Sequence, residues 1–520
     1  MLSFLLALVP IAVIIILMIG FRWGAARAGA AGYLSALLIA LLFFGAGPRL
    51  LAYAHGRALL FSLDVLLIIW AAFLLYRVAD EAGAIRTIGQ ALPHLTADRG
   101  MQALIIGWAF AAFLQGVGGF GVPVAVIAPI LVGLGFTPLL AVVIPSIGHG
   151  WAVSFGSLGS SYQALMAVTG LSTEVLAAPA ALLLSIACLA TGYSVAHAAG
   201  GWVAVRRLAL PVLIMGIVMG SVHLLVGISP VWNIAAFCAG MAGLLVAYPL
   251  ARRWRNEHSS KSEEADNKKD GDILDRRALV VALSGYIILI VLTLGIQLIT
   301  PISDFLGQVT FQVRFPEVST ATGYVTPEGF GRKITVFRHP GAILAYAAML
   351  AYLIYRYFNR YTPGAARRIL GGMVGRVMAS SVSIVSMVTM AVVMENSGMT
   401  ETLARGLANV MGRAYPLIAP WIGGLGAFMT GSNTNSNVIF GALQQRMAEL
   451  LGFSVAVILA AQTAGAGLTS VLAPTKVVVG TSTAGMAGRE GEVMRKLMVY
   501  TFLILLLASL LTVMILWVFP

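Results

Sequence analysis

The stretch Thr430-Gly-Ser-Asn-Thr-Asn-Ser-Asn437 sets seven polar side chains and a glycine between apolar flanks. Packed hydroxyls and amides can hold a small anion, but buried in hydrocarbon without partners each costs several kcal/mol. A second such place is Phe113-Leu-Gln-Gly-Val-Gly-Gly-Phe-Gly-Val-Pro123, where five residues are Gly or Pro. Both types interrupt helices, one lacking a Cβ and the other an N–H. Broken backbone at membrane depth survives only where protein or a watery cavity covers it. The first N–H groups of each half-helix then point at the gap with the positive end of the macrodipole, which suits a carboxylate. Gly156-Ser157 and Gly431-Ser432 read as half-helix starts. The candidate substrate-binding residues are Gln115, Gly116, Gly118, Gly119, His149, Ser157, Thr430, Gly431, Ser432, Asn433, Thr434, Asn435 and Lys476.

Four titratable groups extend this set. His149, between two glycines, could couple a proton near neutral pH or be an ordinary hydrogen-bonded histidine. Lys476 follows Pro474 and could pair with a substrate carboxylate or snorkel to the interface. Asp64 and Glu395 join His149 as candidates for proton or ion coupling. An intramembrane carboxylate is functional by default, yet Asp64 lies near enough the end of its apolar run to sit in the headgroup region. The sequence holds no phosphate loop, metal-ligand cluster or nucleophile motif. Transport driven by an ion or solute gradient is therefore expected, with no cofactor and no metal.

Membrane helices must position these residues. The chain has 520 residues, 59% hydrophobic and 10% charged, against about a quarter charged in soluble domains. Runs at residues 2–20, 59–76, 177–196, 208–225, 279–298 and 498–518 approach the ~20 apolar residues of a bilayer span. The first reads as a retained span rather than a signal peptide. The net charge of +13 sits in short loops, as the positive-inside rule expects, so no nucleic acid is implied. Cys188 and Cys238 lie in apolar runs without metal spacing, which argues against a disulfide framework.

The chain says nearly the same thing twice. Asp80-Glu-Ala-Gly83 matches Glu395-Asn-Ser-Gly398, and Ala112-Phe-Leu-Gln-Gly116 matches Ala427-Phe-Met-Thr-Gly431, both offset by 315 residues. Leu134-Gly-Phe136 pairs with Leu451-Gly-Phe453 at an offset of 317. Interrupted segments in corresponding halves point to the binding site of a secondary transporter. Residues 1–251 form a first membrane half, with broken segments 113–123 and 148–161. Residues 252–277 form a charged, solvated, mostly disordered cytoplasmic linker. Residues 278–520 form the second half, with broken segments 428–437 and 462–476. Its loop 300–340 is extracytoplasmic, and residues 309–315 and 333–337 alternate like strands of a β-hairpin cap.

At these residues the chain resembles the lactate permease family, bacterial inner-membrane carriers of lactate and glycolate generally taken as proton symporters. Residues 113–125 are similar to the family's F-I/L-E-G-A-A-G-F-G-x-P-V-A. Leu134-Gly-Phe-x-Pro138, Val153-Ser-Phe-Gly-Ser-Leu-Gly159, Ser397-Gly-Met399, Met429-Thr-Gly-Ser-Asn-Thr-Asn-Ser-Asn437 and Phe440-Gly-Ala-Leu-Gln444 continue the likeness. The resemblance implies an all-α polytopic fold like that of the ion-transporter superfamily. It further implies two inverted repeats with re-entrant hairpins and broken helices, working as an elevator-type carrier. It implies a small carboxylate substrate, lactate or a related short 2-hydroxy monocarboxylate, with H+ as coupling ion, in the bacterial inner membrane. A homodimer is left open. Four positions depart from the family pattern: Gln115 replaces Glu, Asn433 replaces Asp, His149 replaces Asn, and Ser470 replaces Lys while Lys476 follows six residues on. Two acids are thus amides here, which leaves Na+ coupling and a di- or tricarboxylate substrate as the alternative. A membrane-embedded enzyme would need an acid–base pair or metal ligands, and a receptor would have no use for duplicated breaks.

Overall fold

Segments in lipid must satisfy every backbone N–H and C=O internally, and this chain does so with helices. The computed structural model describes residues 2–21, 23–119, 121–258, 276–331 and 333–518. The first helices are α1 (Leu2–Ile15), α2 (Ala25–Leu42), α3 (Pro48–Glu81), α4 (Ala84–Ala91), α5 (Arg99–Leu104), α6 (Ala111–Val117), α7 (Val122–Gly133), α8 (Pro138–His149) and α9 (Ser160–Thr169). There follow α10 (Thr173–Arg207), α11 (Ala209–Gly227), α12 (Ala235–His258), α13 (Arg276–Leu298), α14 (Thr300–Gly307), α15 (Pro340–Tyr357), α16 (Ala365–Asn396) and α17 (Met399–Met411). The last are α18 (Tyr415–Thr430), α19 (Asn433–Leu451), α20 (Val455–Ser470), α21 (Pro474–Thr483) and α22 (Glu490–Val518). Among the described residues, 11 helical stretches are long and apolar enough to cross a membrane. Residues 259–275, most of the expected linker, lie outside the described residues.

The long helices α3 and α16 run antiparallel. Arg57 approaches Glu395 at one end (3.9 Å), Trp70 donates to Ser381 in the middle (3.0 Å), and Arg368 donates to Glu81 at the other end (2.7 Å). Two helical hairpins flank this pair. Hairpin I descends through α5, the π-turn Ile105–Phe110 and α6, which ends before Gly118, and returns as α7 from Val122. Hairpin II is α18 and α19, turning at Gly431-Ser432. Its arms are antiparallel, since Ser436 donates to the Gly423 carbonyl (2.7 Å) and Gln444 to that of Ala419 (2.9 Å).

The hairpins enter from opposite faces. At the base of hairpin I, Asp98 pairs with Arg207 at the C-terminal end of α10 (2.9 Å). The arm α19 of hairpin II packs Gly441 on Leu165 and Val168, at the end of α9 that leads into the N-terminus of α10. Helix α10 kinks at Gly200 and Gly201 near its C-terminal end, and residues 173–199 before the kink already span about 40 Å at 1.5 Å per residue.

The internal repeat also appears in packing that the sequence alone did not reveal. A Cβ on Gly148 would strike the Gly107 carbonyl, and one on Gly465 would strike that of Pro420. Glycine at such crossings lets backbones approach closely. Gly465 follows Gly148 by 317 residues, the offset of the sequence matches, and Pro420 follows Gly107 by 313, one helical turn short of it. The same packing corrects one expectation. Residues 462–470 are not broken: they are the continuous end of α20, and its break is residues 471–473. Glycines there serve close helix contact and do not break the helix.

Between α14 and α15 lie β1 (Thr310–Phe311), β2 (Arg314–Phe315), β3 (Val318–Ser319), β4 (Val325–Thr326), β5 (Gly329–Phe330) and β6 (Ile334–Thr335). They pair antiparallel as β1·β6, β2·β5 and β3·β4, the nested rungs of one long hairpin. It lies over the ends of the helices: Ala321 N–H donates to the Gly45 carbonyl (2.8 Å), and Phe315 packs edge-on to Tyr53 of α3.

Candidate functional site

The tip of hairpin II is built by local chain chemistry. Gly431 ends α18 in the left-handed region, φ 70°, which favours a residue without a Cβ. Ser432 then caps α19, its hydroxyl accepting from Asn435 N–H (3.3 Å). Thr430 turns its hydroxyl back to the Gly426 carbonyl (2.8 Å). A methyl on Gly431 would meet Thr475, in the first turn of α21, so the tip abuts the break between α20 and α21.

One residue beyond Thr475, on the same half-helix start, the fold turns a cation inward. Lys476 is buried and its Nζ donates to Ser470 Oγ at 3.0 Å. Snorkelling is thereby excluded. Among the described residues no carboxylate pairs with it. Its ammonium lies beside the position that the family pattern gives to lysine, reached from six residues downstream.

The first half meets this tip through its own second break. Ser154 Oγ donates to the Thr463 carbonyl (2.8 Å) and accepts from Asn433 Nδ2 (3.0 Å). Ser161 and Thr434 hydroxyls meet at 3.0 Å, and Asn437 Nδ2 reaches the Ser161 carbonyl and Thr463 Oγ1, both at 2.9 Å. Asn435 turns away to Ser383 on α16 (3.0 Å). Ser154, Thr463 and Ser161 lie within stretches whose polarity the sequence displayed, but nothing in their spacing singled them out.

The tip of hairpin I sits one layer away. Gly119, at φ 55°, leaves room for Ser157, and a methyl on Gly156 would meet Gln115 at 2.7 Å. Gly118 packs against Tyr76 and Val122. The tip faces a cleft of about 350 Å³ lined by Tyr76, Gly121, Val122, Ser380 and Val479. Val479 belongs to α21, so this tip too reaches the opposite half.

Three expected placements change. Gly116 lies inside α6, against the backbone of Phe237 on α12, and is a packing glycine. Ser157 does not start a helix: it and Leu158 have positive φ, 48° and 55°, and α9 begins at Ser160 after this reversal. Asp64 is not in the headgroup region. It stands halfway along α3, buried, with Oδ1 3.0 Å from His339 Nε2 and Oδ2 2.6 Å from Gln163 Nε2. Glu395 lies at the outer end of α16 beside Arg57, away from both tips. His149 is buried at the end of α8, its Nδ1 at 2.6 Å from the Pro145 carbonyl.

Buried polar atoms without a hydrogen-bond partner among the described residues gather at these breaks. They include Gln115 Oε1, His149 Nε2, Ser160 Oγ and the Oδ1 atoms of Asn433, Asn435 and Asn437. Other unpartnered atoms, such as Trp108 Nε1, His223 Nε2 and Thr293 Oγ1, lie away from the breaks.

Helices that cross a bilayer, hairpins entering from opposite faces and polar breaks in the interior define a polytopic membrane carrier. The L-lactate permease family model matches residues 3–519, and the chain belongs to that family. An L-lactate permease of Streptococcus iniae is 28% identical over 86% of this chain and 92% of its own length. Glycolate permease GlcA of Escherichia coli is 26% identical over 95% and 92%, and the L-lactate permease of the same strain 25% over 87% and 85%. The YdaH transporter of Alcanivorax borkumensis, described as having an unusual topology, is similar with 16% identity and a TM-score of 0.47, over 89% of this chain and 86% of its own. The chain is therefore a multi-pass inner-membrane permease of a small lactate-like organic acid, and not an enzyme.

Proposed function

We propose that the protein carries a short 2-hydroxy monocarboxylate, lactate or glycolate, in symport with protons. Lys476 carries this reading. It is a buried ammonium without a carboxylate partner among the described residues, next to the tip of hairpin II and the start of α21. A buried charge left unpaired is strongly unfavourable, and a substrate carboxylate supplies its counter-charge. The positive ends of α19 and α21, with the hydroxyls of Ser432 and Ser470, complete an anion site. Asn433 and Gln115 can accept from the 2-hydroxyl. Residues 1–251 and 278–520 would each contribute one hairpin, joined by the linker 252–277, and the paired hairpins suit an elevator-type movement.

Purified protein in liposomes tests this. Lactate uptake should rise with an inward proton gradient, and labelled lactate should exchange against unlabelled lactate inside. The reading fails if no short mono- or dicarboxylate gives either uptake or counterflow. A second reading, Na+ coupling, is favoured by the three unpartnered amide oxygens of Asn433, Asn435 and Asn437, since hard cations take neutral oxygen ligands. Uptake with and without Na+ at fixed pH separates the two.

A further inference from the structure

Asp64 is a buried carboxylate that the anion site leaves unused. Its two oxygens meet donors from two other elements. His339, just before α15, accepts the Gly341 N–H at Nδ1 (3.1 Å), so that nitrogen carries no proton. The ring proton is therefore on Nε2, which donates to Asp64 Oδ1 at 3.0 Å. Gln163 Nε2, on α9, donates to Oδ2 at 2.6 Å.

Protonating the carboxylate creates a hydroxyl that has to donate. At Oδ1 it would oppose the imidazole N–H. At Oδ2 it faces the Gln163 amide, and half a turn of that amide replaces its NH2 donor with the Oε1 acceptor. Gln163 can thus serve either charge state, whereas His339 serves only as a donor while it holds Gly341. The amide is a two-position element set by one proton.

That element touches the transport site. Gln163 lies on α9, two residues from Ser161, which meets Thr434 and Asn437 of hairpin II at 3.0 and 2.9 Å. Three charged groups on the surrounding elements have partners of their own. Arg57 of α3 faces Glu395 of α16 at 3.9 Å, Arg77 binds Asp80 at 2.8 Å, and Arg338 donates to Ser303 at 2.8 Å. Helix α9 itself carries no charged residue, and its Tyr162 stacks on Phe155. An ionisable residue within a spanning helix is by default a functional group with a named partner.

We propose that Asp64 binds the transported proton, that Gln163 is the positioning residue passing its state to α9, and that His339 holds the carboxylate in place. This rests on the proton-symport reading above. The test uses full-length protein in liposomes. Asp64→Asn should lose lactate accumulation driven by an inward proton gradient, falling to parity across the membrane. Its lactate counterflow should persist and lose its dependence on pH. Gln163→Met should shift the pH midpoint of gradient-driven uptake. Asp64→Asn accumulating lactate as wild type does would overturn the proposal alone. Wild type showing no lactate counterflow would overturn the carrier reading and this one with it. If Asp64→Asn does not hold its fold in thermal unfolding, Gln163→Met decides: a shifted midpoint supports the proposal, and wild-type accumulation with an unshifted midpoint overturns it.

Discussion

Lys476 shows how a single side chain can be conspicuous for what it lacks. Its ammonium is buried beside Ser470, and methionine there keeps the length of the stem without the charge. Lys476→Met should raise the KM for lactate at least about tenfold, worth ~1.4 kcal/mol. It should leave the melting temperature unchanged or raise it, because a buried unpaired charge disappears. An unaltered KM in a transport assay would remove Lys476 from the site. The geometry also predicts that the ammonium can be supplied from either position. Ser470→Lys combined with Lys476→Ser should retain uptake that Lys476→Ser alone loses, which steady-state uptake would measure.

At the scale of elements, the breaks were legible because Gly, Pro and clustered amides stand out in apolar sequence. Their exact extent was not, because glycine has two uses. Gly431 closes a hairpin through its backbone angle, whereas Gly465 keeps α20 helical against α18; composition cannot separate these. Gly431→Ala should cost about 1–2 kcal/mol through its left-handed backbone, with a further loss from contact with Thr475. Lower thermal stability in detergent together with reduced uptake is the expected result. The partner of Asp64 was invisible for another reason: His339 and Gln163 lie 275 and 99 residues away from it, and only tertiary packing joins them. The outer helix α17 offers a pH test. Hydrogen bonding to Arg446 on α19, with help from Arg405, holds the Glu401 carboxyl below its usual range. A depressed pKa gives stability that is present above the unfolded value of about 4.3 and lost as pH falls through the folded one. Protection factors across residues 399–411, corrected for the intrinsic pH dependence of exchange, should therefore fall in acid, and Glu401→Gln should abolish that fall.

At the scale of the whole molecule, two constraints combine to give an expected orientation. The first is charge: Arg356, Arg360, Arg367 and Arg368 cluster between α15 and α16, and basic loops stay in the cytoplasm. The second is connectivity. The β-hairpin joins α13 to α15 and covers the opposite end of α3 from Arg77 and Glu81, which meet Arg368. Together they lead us to expect the hairpin outside and the base of hairpin II, near Glu395 and α17, on that same side. Hairpin I, based at Asp98 and Arg207, then opens to the cytoplasm. Cys188 is buried and Cys238 half-buried, so introduced thiols would report on a quiet background. A membrane-impermeant maleimide should label Glu328→Cys in intact cells and Arg367→Cys only after permeabilisation. Labelling of both from one side would contradict the expectation that α15 crosses the membrane once, and with it the opposed entry of the two hairpins on which the proposed anion site depends.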